Sequence, residues 1–361
     1  MAAISNVLAR ITGRRRPPTP SPEVPLHSTL ASSVVDDLSD RLGMPCDLLD
    51  VHATRTGSLT IRIRADRLCI AKLPLKPATE PRLRQNAQTL TALGQLSWVT
   101  PFLSARCPEF VLAGSASGNF YSVETTVPGR DGASILKSGG VPDEMILSAE
   151  RFLSKLQKAS MLAAGQRQPS RWEEPFASAV ARVAHLARQA GAAQPYERLI
   201  CDITNQLSAQ SIPSVYAHGN FWLGNALFDA ADNLTGVIDW DCAAECSLPA
   251  TDLIYLLVRT HSLARSASFG EALADWMDAE SLPFLDTCIT RHCGELSVST
   301  ELIAPLSYCS WILHLDAHCR YSTATSANPK WLDRNVRQVL DRWQRRAISS
   351  ARHAYRWDRV S

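Results

Sequence analysis

Residues 216–241 read YAHGNFWLGNALFDAADNLTGVIDWD, and this stretch decides the fold. The segments before it, DEMILSAERFLSKLQKASMLAA (143–164), EPFASAVARVAHLARQA (174–190) and PYERLICDITNQLSA (195–209), carry apolar residues at helical spacing. That spacing stops here and resumes at TDLIYLLVRTH (251–261). In between, ALF and LTGVIDW read as short strands around the turn DAADN. The hairpin brings two backbone segments side by side, one carrying His218, Asn220 and Asn225, the other Asp239.

Further toward the N-terminus the pattern is that of a sheet. SLTIRIRADRLCIAKLPL (58–75) holds two alternating runs joined by an Ala-Asp turn, with Lys72 among apolar neighbours in the second. EPRLRQNAQTLTALGQL (80–96) has helical spacing, and FVLAGSASGNFYSVETTV (110–127) reads as a hairpin around SASG. The turn-rich PGRDG (128–132) then marks a join. The expectation is an α+β chain of two lobes: a strand-rich lobe with one helix at 31–127 and a helical lobe at 128–361 that holds the loop 216–252. Residues 1–30 lack an acid before Glu23 and become Pro/Ser/Thr-rich, which predicts a disordered tail. Its first dozen residues also have the spacing of a short amphipathic helix, open to a transit-peptide or lipid-contact reading. WLDRNVRQVLDRWQRRAISSARHAYRW (331–357) reads as one basic amphipathic helix with a solvated charged face.

Composition narrows the function classes. With 361 residues, 45% hydrophobic, 20% charged and a net charge of +2, nothing global points to nucleic acid. No apolar run approaches the ~20 residues of a membrane span, so stable membrane insertion is not expected. Ten scattered cysteines with no secretory signal ahead of them predict free thiols and a cytoplasmic setting. HLDAH (314–318) lacks the Glu that a zinc-protease helix needs after its first His, and a packed or substrate-facing helix is expected there.

The chemistry sits in the opening stretch. His218, position 220 and Asn225 keep the spacing of a protein-kinase catalytic loop, and Asp239 follows where a magnesium-binding Asp would stand. Mg²⁺ favours hard oxygen ligands, and a carboxylate and an amide carbonyl are such a pair once phosphates complete the shell. HGNFWLGN, GVIDWD and SLPATDL together resemble the aminoglycoside phosphotransferase and choline kinase superfamily, small-molecule kinases with a protein-kinase-like fold. The resemblance spans about 50–345 and is strongest over 215–256. It implies ATP and Mg²⁺ as cofactors and a small-molecule hydroxyl as acceptor. It also implies roles for residues: Lys72 on the phosphates, Asn225 and Asp239 on the metal, backbone near Glu124 to Thr126 on adenine, and Asp252 propping the loop. His218 reads as structural, with both ring nitrogens satisfied by backbone. His314, Asp316 and His318 are acceptor contacts by position only.

Two departures qualify that picture. The catalytic Asp is replaced by Asn220, which can orient a hydroxyl but cannot take its proton at neutral pH. The helix acid expected to hold Lys72 is replaced by Asn86, and RTGSLT (55–60) offers a single glycine for phosphate cover. Asp241 is a possible substitute carboxylate. Two readings follow: a small-molecule kinase with Asn220 orienting the acceptor, or a catalytically silent relative that binds nucleotide, or nothing, and serves as a scaffold or regulator with a protein partner.

Overall fold

The computed structural model describes residues 23–54, 56–140, 142–164, 172–278, 283–321 and 328–357. Five antiparallel strands form the first lobe: β1 (Asp47–Ala53), β2 (Ser58–Arg64), β3 (Leu68–Pro74), β4 (Phe110–Ala116) and β5 (Asn119–Thr125). Their order across the sheet is β1-β2-β3-β5-β4. The alternation in LTIRIR is realised directly, with Leu59, Ile61 and Ile63 fully buried and Arg62 and Arg64 exposed.

The sheet has two unlike faces. Leu59, Ile61, Ile63, Cys69, Ala71, Leu73, Tyr121 and Val123 point to one side, where α1 (Glu23–Leu42) covers them. Ala31, Val34, Val35 and Leu38 supply its buried stripe, at the i, i+3, i+4, i+7 spacing of one helix face. The Tyr121 hydroxyl donates to Asp37 and ties helix to sheet. The other face carries Lys72 and Glu124 and meets α2 (Glu80–Leu93). The lobe therefore has two helices on its sheet where the sequence predicted one. The tail also ends earlier than residue 30: α1 starts at Glu23, and Pro25 falls in its first turn, where no backbone N–H is needed. The reading of a helix in the first dozen residues lies outside the described residues.

The second lobe is helical, built around α5 (Pro142–Ala164), α6 (Glu173–Gln189), α7 (Ala193–Ser208), α8 (Thr251–Arg265) and α11 (Ile303–Tyr321). Shorter elements separate them: α3 (Pro101–Ser104), α4 (Gly132–Lys137), α9 (Phe269–Asp278) and α10 (Pro283–Glu295). The loop region adds β7 (Val215–Ala217) paired with β10 (Ala244–Ser247), and a three-stranded unit of β6 (Arg130–Asp131), β8 (Ala226–Phe228) and β9 (Leu234–Val237). Asp229 caps the predicted DAADN turn by accepting the N–H groups of Ala231 and Asn233.

The basic C-terminal segment is not one α-helix. A turn at Pro329–Leu332 runs into a π-helical stretch, Asp333–Arg337, before a helix at Gln338–Trp357. Buried Asn335 explains the break: its Oδ1 accepts the Gly270 N–H at 3.1 Å and its carbonyl accepts the Trp311 indole N–H at 2.8 Å. Among the described residues no helix is long and apolar enough to cross a membrane.

Candidate active site

Lys72 sits on β3 in register with Thr60 of β2 and Ser122 of β5. Glu124, two residues along β5 on the same face, is its diagonal neighbour. The Lys72 ammonium lies 2.8 Å from Glu124 Oε1 and 2.7 Å from Asp239 Oδ1. Burial pulls a lysine pKa down, but the Asp239 and Glu124 carboxylates outweigh it and hold Lys72 above its ordinary value. The same pair acts in reverse: Lys72 holds the Asp239 carboxyl below the usual range, so Asp239 is ionised at neutral pH.

These contacts correct the expectation of a lysine without a carboxylate partner. The acid comes from β5 instead of α2. Asn86 donates through Nδ2 to Glu124 Oε2 at 2.7 Å and accepts the Trp240 N–H on Oδ1 at 2.9 Å. An amide can do both at once, whereas a carboxylate at 86 would face Glu124 with no proton to offer. The strand expected to meet adenine uses part of its backbone within the sheet. Glu124 contributes its side chain to Lys72, and the N–H groups of Thr125 and Thr126 are committed to Glu109 O and Leu68 O at 2.9 and 3.0 Å.

The loop after β7 is fixed by backbone bonds. Asp252, second residue of α8, accepts the N–H of His218 on Oδ2 at 2.7 Å and of Gly219 on Oδ1 at 2.9 Å. His218 Nε2 lies 3.0 Å from the Ile238 carbonyl, which places the ring proton there, and Nδ1 faces the Asn220 N–H at 3.3 Å. Burial lowers the His218 pKa, so the ring is neutral and its one proton is committed to the Ile238 carbonyl. Gly219 has φ +77°, and a Cβ on it would fall 2.1 Å from the Cys242 carbonyl oxygen, so only glycine fits.

Asn225 donates from Nδ2 to the Asn220 carbonyl at 3.0 Å, and its own carbonyl accepts the Ile238 N–H at 2.9 Å. The second bond holds the Asn225 and Asp239 segments together. Asp239 adopts φ +61°, a left-handed conformation that costs about 1–3 kcal/mol, and its side chain is 45% exposed. Asn225 Oδ1 and Asp239 Oδ2 are then two hard oxygens on adjoining segments. Mg²⁺ carried by a nucleotide uses one or two protein oxygens, with phosphate and water supplying the rest, and this donor set fits it. Asn220 is half-buried, and its side-chain amide makes no hydrogen bond among the described residues.

A cavity of about 90 Å³ opens beside Lys72 and Asp239. Its roof is the β1–β2 turn, which presents Thr54, Thr56 and Ser58, with Thr60 following on β2. Thr54 Oγ1 lies 2.9 Å from Thr56 Oγ1 and 2.8 Å from Ser58 Oγ. Hydroxyl groups thus stand where the sequence lacked glycine amides. Arg82 of α2 also lines this cavity and bonds Asp241 Oδ2 at 2.5 Å. Asp241 is therefore tied through Oδ2 to Arg82 and not to the loop at 220.

A second cavity, of about 200 Å³, lies against Gly219 and Cys242 and is walled by α6 and α11. Of the three acceptor contacts proposed on α11, only Asp316 lines it. The His314 ring packs against Tyr255 and Phe269 with centroids at 5.3 and 4.3 Å, and His318 against Trp331 at 5.0 Å. Helical spacing put all three residues in one segment; the helix phase separates Asp316 from the histidines.

Residues 59–284 match the APH family model, described as the phosphotransferase enzyme family. That is more than half of the chain. The chain belongs to the phosphotransferase enzyme family. Solved structures of similar fold agree. Aminoglycoside phosphotransferase APH(3'')-Id from Streptomyces rimosus, in complex with ADP and streptomycin, is 14% identical at a TM-score of 0.50, covering 82% of this chain and 99% of that one. A point mutant of aminoglycoside 2'-phosphotransferase-IIIa in its GDP complex is 16% identical at a TM-score of 0.52, covering 89% and 97%. At these identities the likeness is one of fold. A search of curated proteins finds no match.

Proposed function

We propose that this phosphotransferase-family chain transfers the γ-phosphoryl group of Mg·ATP to a hydroxyl of a small molecule. One observation carries the reading: Lys72 of one lobe and Asp239 of the other meet at 2.7 Å on a cavity roofed by hydroxyl groups, with the Asn225 segment bonded alongside Asp239. Lys72 would neutralise α/β-phosphate charge, with Glu124 and Asn86 fixing its position. Asn225 Oδ1 and Asp239 would hold Mg²⁺, which when bound supplies charge neutralisation at the phosphates. Because Thr125 and Thr126 are committed to the sheet, adenine contacts would fall on the strand-free backbone at 127–129.

The acceptor oxygen forms its bond to the γ-phosphorus as the bond to the β–γ bridging oxygen breaks, and ADP leaves. Asn220 orients the hydroxyl. The proton passes to solvent or a phosphoryl oxygen, because an amide cannot accept it. Phosphoryl transfer rests mainly on positioning and charge, so loss of the base slows the reaction without removing its basis. The specific observation behind a second reading, a silent nucleotide-binding relative that works through a protein partner, is Asn220 itself.

Calorimetric titration of Mg·ATP into the wild type and Asp239→Ala tests the proposal. Metal-dependent binding that disappears in the variant is expected. Equal nucleotide affinity in both proteins removes the metal assignment, and no binding at millimolar nucleotide favours the silent reading.

A further inference from the structure

Three consecutive residues of the helical lobe are each held by a side chain of the sheet lobe. Lys72 of β3 bonds Asp239 Oδ1 at 2.7 Å, Asn86 of α2 accepts the Trp240 N–H on Oδ1 at 2.9 Å, and Arg82 of α2 bonds Asp241 Oδ2 at 2.5 Å. Arg82 and Asn86 stand four positions apart, so one face of α2 lies along this segment. The segment includes a strained residue. Asp239 has φ +61°, which a residue other than glycine keeps only where its surroundings over-determine it.

The three ties are not equivalent. Lys72 divides its ammonium between Glu124 and Asp239, and in the phosphotransferase reading the nucleotide phosphates draw on the same ammonium. The Arg82 tie falls two residues beyond Asp239 and takes no oxygen from it. Asp241 has a side chain 6% exposed, and its Oδ1 has no hydrogen-bond partner among the described residues. Arg82 is, among the described residues, the one cation bonded to this carboxylate. A buried carboxylate stripped of its cation is left uncompensated, so the pair resists opening.

We propose that Arg82 is a positioning residue: by pinning Asp241 to α2 it latches the two lobes together and holds Asp239 in the left-handed conformation that presents its carboxylate to the metal. The metal half of this rests on the phosphotransferase reading; the latch between the lobes does not. Arg82 also lines the cavity beside Lys72, so direct contact with phosphate is the competing role. Mg²⁺ separates the two. Positioning acts through Asp239 and is felt only in the metal-dependent part of nucleotide affinity, whereas a phosphate contact is felt with and without metal.

The test combines hydrogen exchange of the nucleotide-free chain with calorimetry of Mg·ATP and of ATP in EDTA. The proteins are the wild type, Arg82→Gln, Arg82→Lys, Asp241→Asn and the Arg82→Gln, Asp241→Asn double variant. Arg84→Gln is the control, because Arg84 lies on the same helix but bonds Glu80 of that helix at 2.8 and 2.7 Å. In Arg82→Gln the amides of Ile238 and Trp240 are expected to exchange at least tenfold faster, with those of β2 unchanged and Arg84→Gln like the wild type. Mg·ATP affinity is expected to fall about tenfold in Arg82→Gln and in Asp241→Asn. The double variant is expected to lose no more than threefold further, because both substitutions break one tie. Arg82→Lys, which keeps a cation, is expected to recover most of the loss, and affinity for metal-free ATP to stay within twofold throughout. Unchanged exchange at 238–240 in Arg82→Gln overturns the latch. Losses that add in the double variant, or that are equal with and without Mg²⁺, overturn the positioning role; the second places Arg82 on the phosphates. Should Arg82→Gln fail to fold, Asp241→Asn breaks the same pair and is read by the same exchange. A wild type that binds no Mg·ATP removes the phosphotransferase reading, and exchange then decides the latch alone.

Discussion

Asp252→Ala removes one side chain and two hydrogen bonds, and the structure sets the size of the effect. The carboxylate accepts the His218 and Gly219 N–H groups at 2.7 and 2.9 Å, and Asp252 and His218 are both buried. With the acceptor gone, the His218 N–H is left unpaired away from water, at about 1–3 kcal/mol. Gly219 is exposed, so its N–H regains a water and costs only the net value of a bond, about 1 kcal/mol. The expected loss is about 2–4 kcal/mol. At ~2.1 cal/mol/K per residue, a chain of this length moves about 1.3 °C per kcal/mol, so Tm falls by about 3–5 °C. Asp252→Asn keeps one acceptor but turns an NH₂ toward the second N–H, and it is expected between the two. The loop also frames the proposed metal arm, because Asn225 is aimed through the Asn220 carbonyl. Mg·ATP affinity in Asp252→Ala is therefore expected to fall at least tenfold alongside Tm, by thermal melting and calorimetry on one preparation. A variant that melts within 1 °C of the wild type refutes the reasoning that this carboxylate holds the loop.

Asn220→Asp restores a proton acceptor at the position the backbone already fixes; Mg-dependent ATP turnover should rise about 10²–10⁴-fold, or ~2.7–5.5 kcal/mol of barrier, and acquire an acid limb in its pH profile. Turnover unchanged with nucleotide binding intact would show that the defect lies elsewhere. Asn86→Glu, which restores the acid expected from the family pattern, should destabilise the chain by about 3 kcal/mol or more, since it sets a second buried carboxylate against Glu124 and removes the donor at 2.7 Å; a wild-type melting curve would contradict this. Glu271 is paired through both oxygens with Arg334 at 2.7 and 2.6 Å, and this pairing lowers its pKa to about 2. Because the folded value lies below the unfolded one, the stabilisation is complete above about pH 4.5 and is lost as pH falls toward 2. The Tm gap between wild type and Glu271→Gln should close over that window, and a gap that persists at pH 2 would exclude the mechanism.

Much of this architecture was legible in one dimension. Period-2 alternation located β2 and β3, helical spacing located α2 and α5 to α8, and the turn residues at 229–233 located the hairpin that carries Asp239. Those signals are local: each depends on residues a few positions apart facing one core. The spacing from His218 to Asn225 to Asp239 also lies within a single short segment, so its resemblance to a family could be read without coordinates.

Tertiary structure alone decided what separated residues do for each other. Whether Lys72 has a partner depends on the register of β3 against β5, and Glu124 is 52 positions away in the chain. Asn86 reads as a loss in sequence; only with Glu124 and the Trp240 N–H beside it is the amide seen to be the residue the site requires. Asp241 reads as a spare carboxylate until Arg82, 159 positions away, is found on it. The cavity beside Gly219 left no motif at all, because it is assembled from α6, α11 and the loop at 242, and contact between distant segments has no period in the sequence. Sequence determined the elements and the spacing of His218, Asn225 and Asp239; the packing of one element on another determined which charges pair.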